Sequence, residues 1–293
     1  VTGVQTCALP ISMKNVLVRL QEYRVQANGA EKDLVRYLLE KPEEASKLSI
    51  HVLAERTYTS AATIIRLCKK LGFRGYKEFS SSLNYEIALR SEARKDISTE
   101  ISRDDGLKDI VDKVTYRSIQ ALEDTRKLVD LDELQSCVDI LEKAKTIGLF
   151  GIGSSLLAAR DMYLKFLRLN KPCICNDDWH SQLVCARNLT KEDVAVIFSY
   201  SGLTKEMLTC ARILKEKDVP IITVTRFAEN ELTRLADCKL YVSAKELLVR
   251  TAATASRISQ LNIIDILFTA YVKNNYEKNI SRLKSNVITK DII

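Results

Sequence analysis

The sequence predicts a protein of the α/β class in two parts, an all-helical N-terminal domain followed by an αβα sandwich with a parallel sheet. Up to residue 90, apolar residues recur at helical spacing. Beyond residue 107, short apolar runs rich in β-forming residues alternate with helical segments, which is typical of a parallel sheet covered on both faces. Residues 91–107 are polar and charged, and they predict a linker or the exposed end of one long helix.

Five helices are predicted in the N-terminal domain, residues 13–90. Ser49 can cap the third and Ser60 the fourth, because a serine side chain accepts hydrogen bonds from the free N–H groups of a helix start. Thr57–Thr59 separates these two helices, and Gly72 follows the fourth at a position that tolerates a positive φ. The five predicted helices are Val16–Tyr23, Ala30–Leu39 (ended by Lys41-Pro42), the segment that follows Ser49, Ala61–Leu71 and Tyr76–Leu89.

The C-terminal domain, residues 108–290, is predicted to contain five strands. Two helices come first, and a helical segment follows each strand. The predicted strands are Thr146–Phe150, Pro172–Cys175, Asp193–Phe198, Pro220–Thr225 and Lys239–Val242. The predicted helices are Leu107–Thr125, Asp132–Lys143, Ser155–Leu169, Trp179–Asn188, Lys205–Lys217, a short one near Glu231, and Thr251–Tyr276. Ligands of such sheets bind beyond the carboxyl ends of the strands, so the loops after Phe150 and Phe198 are the candidate site.

The charge of the chain is unevenly distributed. The net charge is +7, and residues 13–90 carry 14 Lys/Arg against 9 Asp/Glu, whereas the remainder carries 31 against 29. A basic excess confined to one small domain indicates a polyanionic partner for that domain. No apolar run approaches the roughly 20 residues of a membrane span, so we expect a soluble, cytoplasmic protein that does not bind membranes.

The cysteines and histidines of the chain do not predict a metal site. The eight cysteines are scattered without a CxxC pair, and the two histidines lie near no cysteine cluster. We therefore expect reduced thiols, no metal and no cofactor. Residues 1–12, VTGVQTCALPIS, lack the basic start and long apolar centre of a secretory signal, and Met13 looks like a natural start. These twelve residues are expected to be a non-native leader.

Residues 56–77 carry six Lys/Arg and no Asp or Glu. The third helix, the turn and the fourth helix have the spacing of a helix-turn-helix. In the fourth helix the predicted buried stripe is Ile64, Leu67, Cys68 and Leu71, which leaves Ser60, Thr63, Arg66, Lys69 and Lys70 on the outside. The alternative is a solvated basic helix that packs against the larger domain.

In a helix-turn-helix the start of the second helix meets base edges. Thr59, Ser60 and Thr63 are short hydrogen-bonding residues at that place. Arg66 can reach a base or a phosphate, and the remaining cations predict phosphate contacts, which add affinity without reading sequence. The candidate DNA-binding residues are Thr59, Ser60, Thr63, Arg66, Lys69, Lys70, Arg74 and Lys77.

The run from Thr59 to Phe79, TSAATIIRLCKKLGFRGYKEF, preceded by Leu53-Ala54, resembles the DNA-binding domain of RpiR-type transcriptional regulators. That resemblance implies double-stranded operator DNA as a partner. It also implies a C-terminal sugar isomerase (SIS) domain.

Two loops of the predicted sheet carry small and hydroxyl-bearing residues where a helix begins. Gly151-Ile152-Gly153-Ser154-Ser155 follows one strand, and Ser199-Tyr200-Ser201-Gly202-Leu203-Thr204 follows another. A helix start presents free N–H groups and a positive dipole end to an anion, and hydroxyls satisfy phosphate oxygens without charge. Leu156 stands where a dinucleotide-binding fingerprint needs glycine, so that class of ligand is not predicted.

The two loops together resemble the sugar-phosphate site of SIS domains, and the resemblance covers residues 108–276, including the segment Thr254–Leu261. It implies a site with the ligand residues Gly151, Gly153, Ser154, Ser155, Ser199, Ser201, Gly202 and Thr204. Arg257 and His180 are further candidates. Arg257 can instead be a structural ion-pair partner, and His180 a surface or interface histidine.

The combination predicts a DNA-binding transcriptional regulator, not an enzyme, whose operator binding is controlled by a phosphosugar effector. The resemblance also implies a homodimer or higher homo-oligomer formed through the SIS domain. The first alternative is a phosphosugar isomerase with a helical extension, which needs a general base; Glu206, Glu246 and His180 lack a distinctive context for that role. The second alternative is a DNA-binding protein that responds to no ligand.

Overall fold

The structure, a computed structural model, describes residues 15–27, 29–91, 102–244 and 254–287. These residues fall into two compact units, and the division between the units lies between residues 95 and 96. The predicted leader, most of the predicted linker, Glu246 and the first residues of the last predicted helix lie outside the described residues. Among the described residues, no helix is both long and apolar enough to cross a membrane.

The N-terminal unit is entirely helical in its described part, as predicted. Its helices are α1 (Val16–Tyr23), α2 (Gly29–Glu40), α3 (Pro42–Ala45), α4 (Ile50–Arg56), α5 (Ala61–Lys70) and α6 (Tyr76–Ser91). The short α3 is an addition to the prediction, because Pro42 ends α2 and also occupies the first position of a helix, where its missing N–H costs nothing. Leu20, Leu38, Leu53, Leu67 and Leu83 from five of these helices are completely or almost completely buried.

The helix-turn-helix is built as the sequence predicts. The side-chain oxygen of Ser49 accepts a hydrogen bond from the N–H of Val52 (3.3 Å) at the start of α4. Ser60 caps α5 in the same way, accepting from the N–H of Thr63 at 3.1 Å. Gly72 follows α5 with a φ of +83°. Residues 57–60 therefore form a short turn between the two helices, and the cap by Ser60 fixes the end of the turn at which α5 begins.

The C-terminal unit contains one sheet of five parallel strands in the order β2-β1-β3-β4-β5. The strands are β1 (Ile147–Gly151), β2 (Cys173–Cys175), β3 (Val194–Phe198), β4 (Ile221–Arg226) and β5 (Cys238–Val242). All residues of β1, β3 and β4 are buried, which explains their continuous apolar character. The predicted parallel sheet is thus confirmed, and its three central strands are in sequence order.

Helices cover both faces of this sheet. They are α7 (Leu107–Leu128), α8 (Leu131–Lys143), α9 (Ser154–Leu167), α10 (Trp179–Asn188), α11 (Lys205–Glu216), α12 (Glu231–Leu235), α13 (Ala255–Asn274) and α14 (Tyr276–Ser285). One core lies between the sheet and α8, α9 and α13, and a second lies between the opposite face and α10, α11 and α12.

The prediction of one last helix ending at Tyr276 is wrong. Asn275 has φ −131° and ψ 62°, which interrupts the helix between α13 and α14. The amide of Asn279 in α14 then donates to the main-chain oxygen of Tyr271 (3.1 Å), so the second helix folds back on the end of the first. No sequence signal marks this break, because the residues around Asn275 are mostly polar and continue at helical spacing.

Candidate functional site

The outer side of α5 presents cationic side chains. Arg66 and Lys69 are exposed, and so are Arg74 and Lys77 after the helix. Guanidinium Nη2 of Arg66 donates to Oγ1 of Thr63 (3.2 Å), which orients the arginine along the helix toward its N-terminus. Short hydrogen-bonding residues and an arginine therefore lie together at the end of α5 that a helix-turn-helix inserts into the major groove.

The structure corrects the expectation that Thr63 lies on the outside of α5. Thr63 is only 8% exposed, because its hydroxyl is enclosed between Oγ of Ser60 (3.0 Å) and the guanidinium of Arg66. Ser60 itself is exposed, and a hydroxyl that accepts a capping bond can still donate its own proton. Ser60 and Arg66 are thus more accessible to a base edge than Thr63.

Lys70 is held by residues of its own domain. Its Nζ lies 2.7 Å and 3.0 Å from the two carboxylate oxygens of Glu31 in α2, and it donates to Oη of Tyr23 at 3.0 Å. The hydroxyl of Tyr23 donates to Glu31 as well (2.7 Å). Burial alone would raise the pKa of Glu31, but the hydrogen bonds from Lys70 and Tyr23 outweigh it and lower the pKa below its usual value. Lys70 therefore links α5 to α1 and α2 in addition to any contact with phosphate.

Replacement of Lys70 by methionine is expected to lower the free energy of unfolding by about 1 kcal/mol at neutral pH, the upper end for a partly exposed pair. Because the folded-state pKa of Glu31 is lowered from 4.5, this contribution is present above pH 4.5 and lost as the pH falls through the folded pKa. Urea unfolding of both proteins at about pH 7 and about pH 3 measures it. An equal difference at both pH values would contradict an ionic origin.

The first candidate phosphate loop joins β1 to α9. Gly153 precedes α9 with a φ of +60°, a conformation that glycine adopts without strain, and it provides no side chain to cap the helix. Ser154 is half-buried at the first position of α9, and Ser155 is buried. The first N–H groups of α9 are therefore not occupied by a capping side chain and point to the carboxyl edge of the sheet.

A buried glutamine, which the sequence analysis did not single out, holds this loop in place. The amide of Gln182 in α10 is 1% exposed; its nitrogen donates to the main-chain oxygen of Gly151 (2.9 Å), and its oxygen accepts from the Gly151 N–H (3.1 Å). The same nitrogen also donates to the main-chain oxygen of Asn176 (3.1 Å). Gln182 thus acts as a structural support for the loop, and no local sequence pattern marks it.

Ser155 is engaged by a second buried glutamine. Oγ of Ser155 lies 3.3 Å from the side-chain oxygen of Gln260 in α13 and 3.2 Å from its nitrogen. Both residues are buried, at 8% and 1% exposure. Ser154, on the outer side of the loop, is therefore the more accessible of the two predicted serine ligands.

The second candidate loop joins β3 to α11 and is stabilised by its own polar groups. Ser199 is buried, with its hydroxyl 3.1 Å from that of Thr204, and its main-chain oxygen accepts from the N–H of Gly202 (3.0 Å). Oγ of Ser201 accepts from the N–H of Leu203 (3.2 Å). Thr204 precedes α11 without capping it, so the first turn of α11 also keeps its N–H groups free of a capping side chain.

Gly202 has a steric role in this loop. Its φ is +67°, and a Cβ atom there would lie 2.3 Å from the side-chain nitrogen of Asn230. Asn230 is itself fixed, because it caps α12 by accepting from the N–H of Thr233 (3.0 Å). The loop after β3 is therefore packed directly against the start of α12.

Gly202→Ala is expected to lower the free energy of unfolding by about 2 kcal/mol, because it combines a strained φ with an overpacked contact. It should also weaken ligand binding, since the loop must move. Chemical unfolding and calorimetry measure the two effects. Gly106→Ala is the matched control, because Gly106 has a negative φ and its added Cβ would meet only the flexible carboxylate of Asp109, at 3.4 Å. Equal stability of the two variants would contradict the packing argument.

A buried arginine lies at the same edge of the sheet and was missed by the sequence analysis. Arg226 ends β4, is 8% exposed, and its N–H donates to the main-chain oxygen of Tyr200 in the second loop (2.9 Å). Its Nε is buried and has no hydrogen-bond partner within the described part of the chain. Side chains alternate along a strand, so Arg226 shares the face of Val224, which is the face covered by α9 and α13. The sequence signal that could have identified Arg226 is a basic residue at the end of a strand that is otherwise apolar or uncharged.

The two further ligand candidates lie on the surface. His180 is exposed in the first turn of α10, the helix that carries Gln182. Arg257 is exposed in the first turn of α13, the helix that carries Gln260, and takes part in none of the ion pairs found among the described residues. Those residues also contain no group of three or more side chains arranged to hold a metal ion.

Two families match separate parts of the chain. Residues 14–90 match the helix-turn-helix domain of the rpiR family, and residues 140–270 match the SIS domain. The chain is 34% identical to an uncharacterized HTH-type transcriptional regulator of Caldanaerobacter subterraneus subsp. tengcongensis, over 93% of this chain and 96% of the relative. It is 32% identical to the uncharacterized HTH-type transcriptional regulator YbbH of Bacillus subtilis, over 89% and 92% of the two chains.

Solved structures with the same fold are also found. The Vibrio vulnificus NanR protein complexed with ManNAc-6P is 26% identical, with a TM-score of 0.58 over 92% of this chain and 96% of that chain. The sugar isomerase domain of an RpiR transcription factor from Sphaerobacter thermophilus has a TM-score of 0.55 at 16% identity, over 60% of this chain and 97% of that chain. The second similarity supports the fold of the C-terminal unit.

Proposed function

The chain belongs to the rpiR family of helix-turn-helix transcriptional regulators with a SIS domain, and from this premise we propose that a phosphosugar bound at the SIS domain controls its binding to operator DNA. The N-terminal unit supplies the DNA-binding helix α5 and its exposed cations. The C-terminal unit supplies the site for the effector. The relatives are bacterial regulators, and bacterial DNA lies in the cytoplasm, so the proposed location is the cytoplasm.

The observation that best supports the proposed effector site is the register of two neighbouring strands. Gly151 at the end of β1 pairs with Phe198 at the end of β3, so the two candidate loops begin side by side. Each loop leads into a helix without a side-chain cap, and each carries hydroxyl groups. Two helix starts and several hydroxyls at one sheet edge favour a phosphate group. The NanR protein complexed with ManNAc-6P is a relative whose ligand has this chemistry.

Arg226 supports an anionic ligand at this edge. The charge of a buried guanidinium is costly unless an anion compensates it. Arg226→Met keeps a similar volume and removes that charge. We expect the ligand-free variant to be at least as stable as the wild type and to lose about tenfold in affinity for the phosphosugar. Thermal unfolding with and without ligand measures both effects. A variant that is less stable without ligand and binds normally would assign Arg226 a structural role.

A screen by thermal shift tests the proposal. Phosphosugars, including ManNAc-6P, and the same sugars without phosphate are each added to the full chain. The proposal expects stabilisation by at least one phosphosugar and by none of the unphosphorylated sugars. The same compound should then change the affinity for DNA at a fixed salt concentration. No stabilisation by any phosphosugar would favour the ligand-independent DNA-binding protein.

We propose that the SIS domain binds its ligand without converting it. The relatives over the full chain are named transcriptional regulators. An isomerase would need a general base beside the bound sugar, such as Glu206 in the first turn of α11 or His180 in α10. Incubation of the stabilising phosphosugar with the protein, followed by chromatography, should return the sugar unchanged. Conversion that is lost in Glu206→Gln would instead establish the isomerase.

The proposed assembly is a homodimer formed through the SIS domain. Large apolar side chains are exposed near the edge strand β2 of the sheet, and they are Leu157 (46%) and Leu164 (59%) of α9, Ile174 (40%) of β2 and Val184 (43%) of α10. Leu157 and Leu164 are seven residues apart and share one side of α9. A second copy of the chain over this patch would bring two helix-turn-helix units into one assembly, and dimers of this motif bind two half-sites one helical turn apart.

A further inference from the structure

Among the described residues of the N-terminal unit, the most exposed large hydrophobic side chain lies in the turn of the helix-turn-helix. Tyr58 is 96% exposed, whereas Tyr85 on α6 of the same unit is 47% exposed. Tyr58 also has a φ of +51°, in the left-handed region that bulky residues rarely adopt. Turns of this motif often contain glycine, for which this conformation costs no steric strain. The chain therefore places a large aromatic residue where glycine would be more stable.

The turn holds Tyr58 outward in a fixed geometry. Its N–H donates to the main-chain oxygen of Glu55 (3.2 Å), and the N–H of Thr59 donates to Ala54 (2.9 Å). Oγ1 of Thr57 donates to the main-chain oxygen of Leu53 (2.7 Å) and lies 2.9 Å from Oγ1 of Thr59. Residues on both sides are thus bonded to α4. The phenol ring projects from a rigid support and is not covered by its own domain.

The charge around the turn indicates which partner this side chain meets. Tyr58 lies within residues 56–77, which contain six Lys/Arg and no carboxylate. It directly precedes Thr59 and Ser60, at the end of α5 that enters the groove. In this motif the first helix crosses the sugar-phosphate backbone, so the turn between the helices lies beside a backbone strand. A phenol hydroxyl there is a neutral donor to a phosphate oxygen.

We propose that Tyr58 is a DNA-contacting residue whose hydroxyl donates a hydrogen bond to a backbone phosphate next to the base-facing end of α5. The backbone strain at φ +51° persists because the contact with DNA requires the side chain at this place. This inference rests on the proposed function, since it needs α5 to bind DNA.

The test uses a duplex that the wild-type full chain selects from a random-sequence pool, and three variants of Tyr58. Tyr58→Gly removes the side chain and the strain together. It is expected to raise the melting temperature of the N-terminal unit by roughly 3 °C and to weaken DNA binding about tenfold or more. Tyr58→Asn, which tolerates the left-handed region, should show the same two signs. A tyrosine with only a structural role would not give this combination of higher stability and weaker DNA binding on its removal.

Tyr58→Phe tests the hydroxyl. It is expected to lose about tenfold in affinity, equally for the selected duplex and for unrelated DNA, because phosphate contacts carry no base information. The slope of log affinity against log salt should stay unchanged, since a neutral phenol displaces no counterion, whereas Lys69→Ala should reduce that slope by about one. Tyr85→Phe is the control for a general loss of a surface hydroxyl, and it should bind as the wild type does.

Four outcomes would overturn the proposal, and the last of them would also overturn the proposed function. Tyr58→Gly that binds the selected duplex as tightly as the wild type would remove Tyr58 from the interface. Tyr58→Gly that melts at a lower temperature would show that the turn needs the tyrosine for its own stability. If Tyr58→Phe binds DNA with full affinity while Tyr58→Gly binds it weakly, the ring and not the hydroxyl makes the contact. A wild type that selects no duplex at all would refute DNA binding itself, and with it the proposed function.

Discussion

Arg66→Ala combined with Lys69→Ala is expected to lower DNA affinity by about a hundredfold or more at physiological salt. Binding of the phosphosugar to the SIS domain should remain intact. Both side chains are exposed on α5, and neither is buried by its own domain. Each lost contact to a base or phosphate costs about 1–3 kcal/mol, and each lost phosphate contact reduces the salt dependence of binding by about one charge. Fluorescence anisotropy at several salt concentrations measures both quantities.

Lys32→Ala combined with Lys47→Ala is the matched control for this pair. These two lysines are exposed on the same N-terminal unit but lie outside residues 56–77. The control removes the same charge and should lose much less affinity. Equal losses in the two double variants would show that only the total charge matters, which would contradict a specific role for α5. Loss of phosphosugar binding in the first variant would contradict the assignment of the two binding sites to separate units of the chain.

Ser199→Ala combined with Ser201→Ala is expected to abolish the phosphosugar response and to preserve DNA binding. Hydrogen bonds to a charged phosphate contribute about 1.5–3 kcal/mol each, so two lost hydroxyls correspond to an affinity reduced by about a hundredfold or more. Isothermal titration calorimetry with the stabilising phosphosugar measures the loss. DNA binding without ligand should match that of the wild type.

Two variants check that the loop, and not the fold, is responsible. Ser201→Ala alone keeps the hydrogen bond between Ser199 and Thr204 and should already weaken binding of the phosphosugar. Ser136→Ala removes an exposed hydroxyl on α8 that, within the described part of the chain, donates one hydrogen bond, to the main-chain oxygen of Asp132. It should bind normally. Normal ligand binding by the Ser199/Ser201 double variant would exclude the second loop from the site.

The fold was largely predictable because its signals are local. Continuous apolar runs marked β1, β3 and β4, and Ser49 and Ser60 marked the starts of α4 and α5. The break at Asn275 was not predictable, because it depends on how α14 packs back on α13 through Asn279. That contact carries no signal in the order of residues along the chain.

The candidate sites were predictable only in part, for the same reason. The loops and the basic helix are contiguous in sequence, so their residues were found. Gln182 and Gln260 support the first loop from other helices, 31 residues after Gly151 and 105 residues after Ser155. Lys70 was predicted as a phosphate contact from its charge, but the structure places Glu31, 39 residues away, against it. Partners that are distant in sequence therefore determine which further contacts a side chain can make.

The central claim is that a phosphosugar at the SIS domain changes the affinity of the N-terminal unit for DNA. Its most direct test is the dissociation constant of the wild-type full chain for its selected duplex, at one fixed salt concentration, with and without a saturating amount of the phosphosugar that stabilises the protein. The account predicts a change of about 5- to 150-fold, in either direction, and no change with the unphosphorylated sugar. An unchanged dissociation constant at saturation would contradict it.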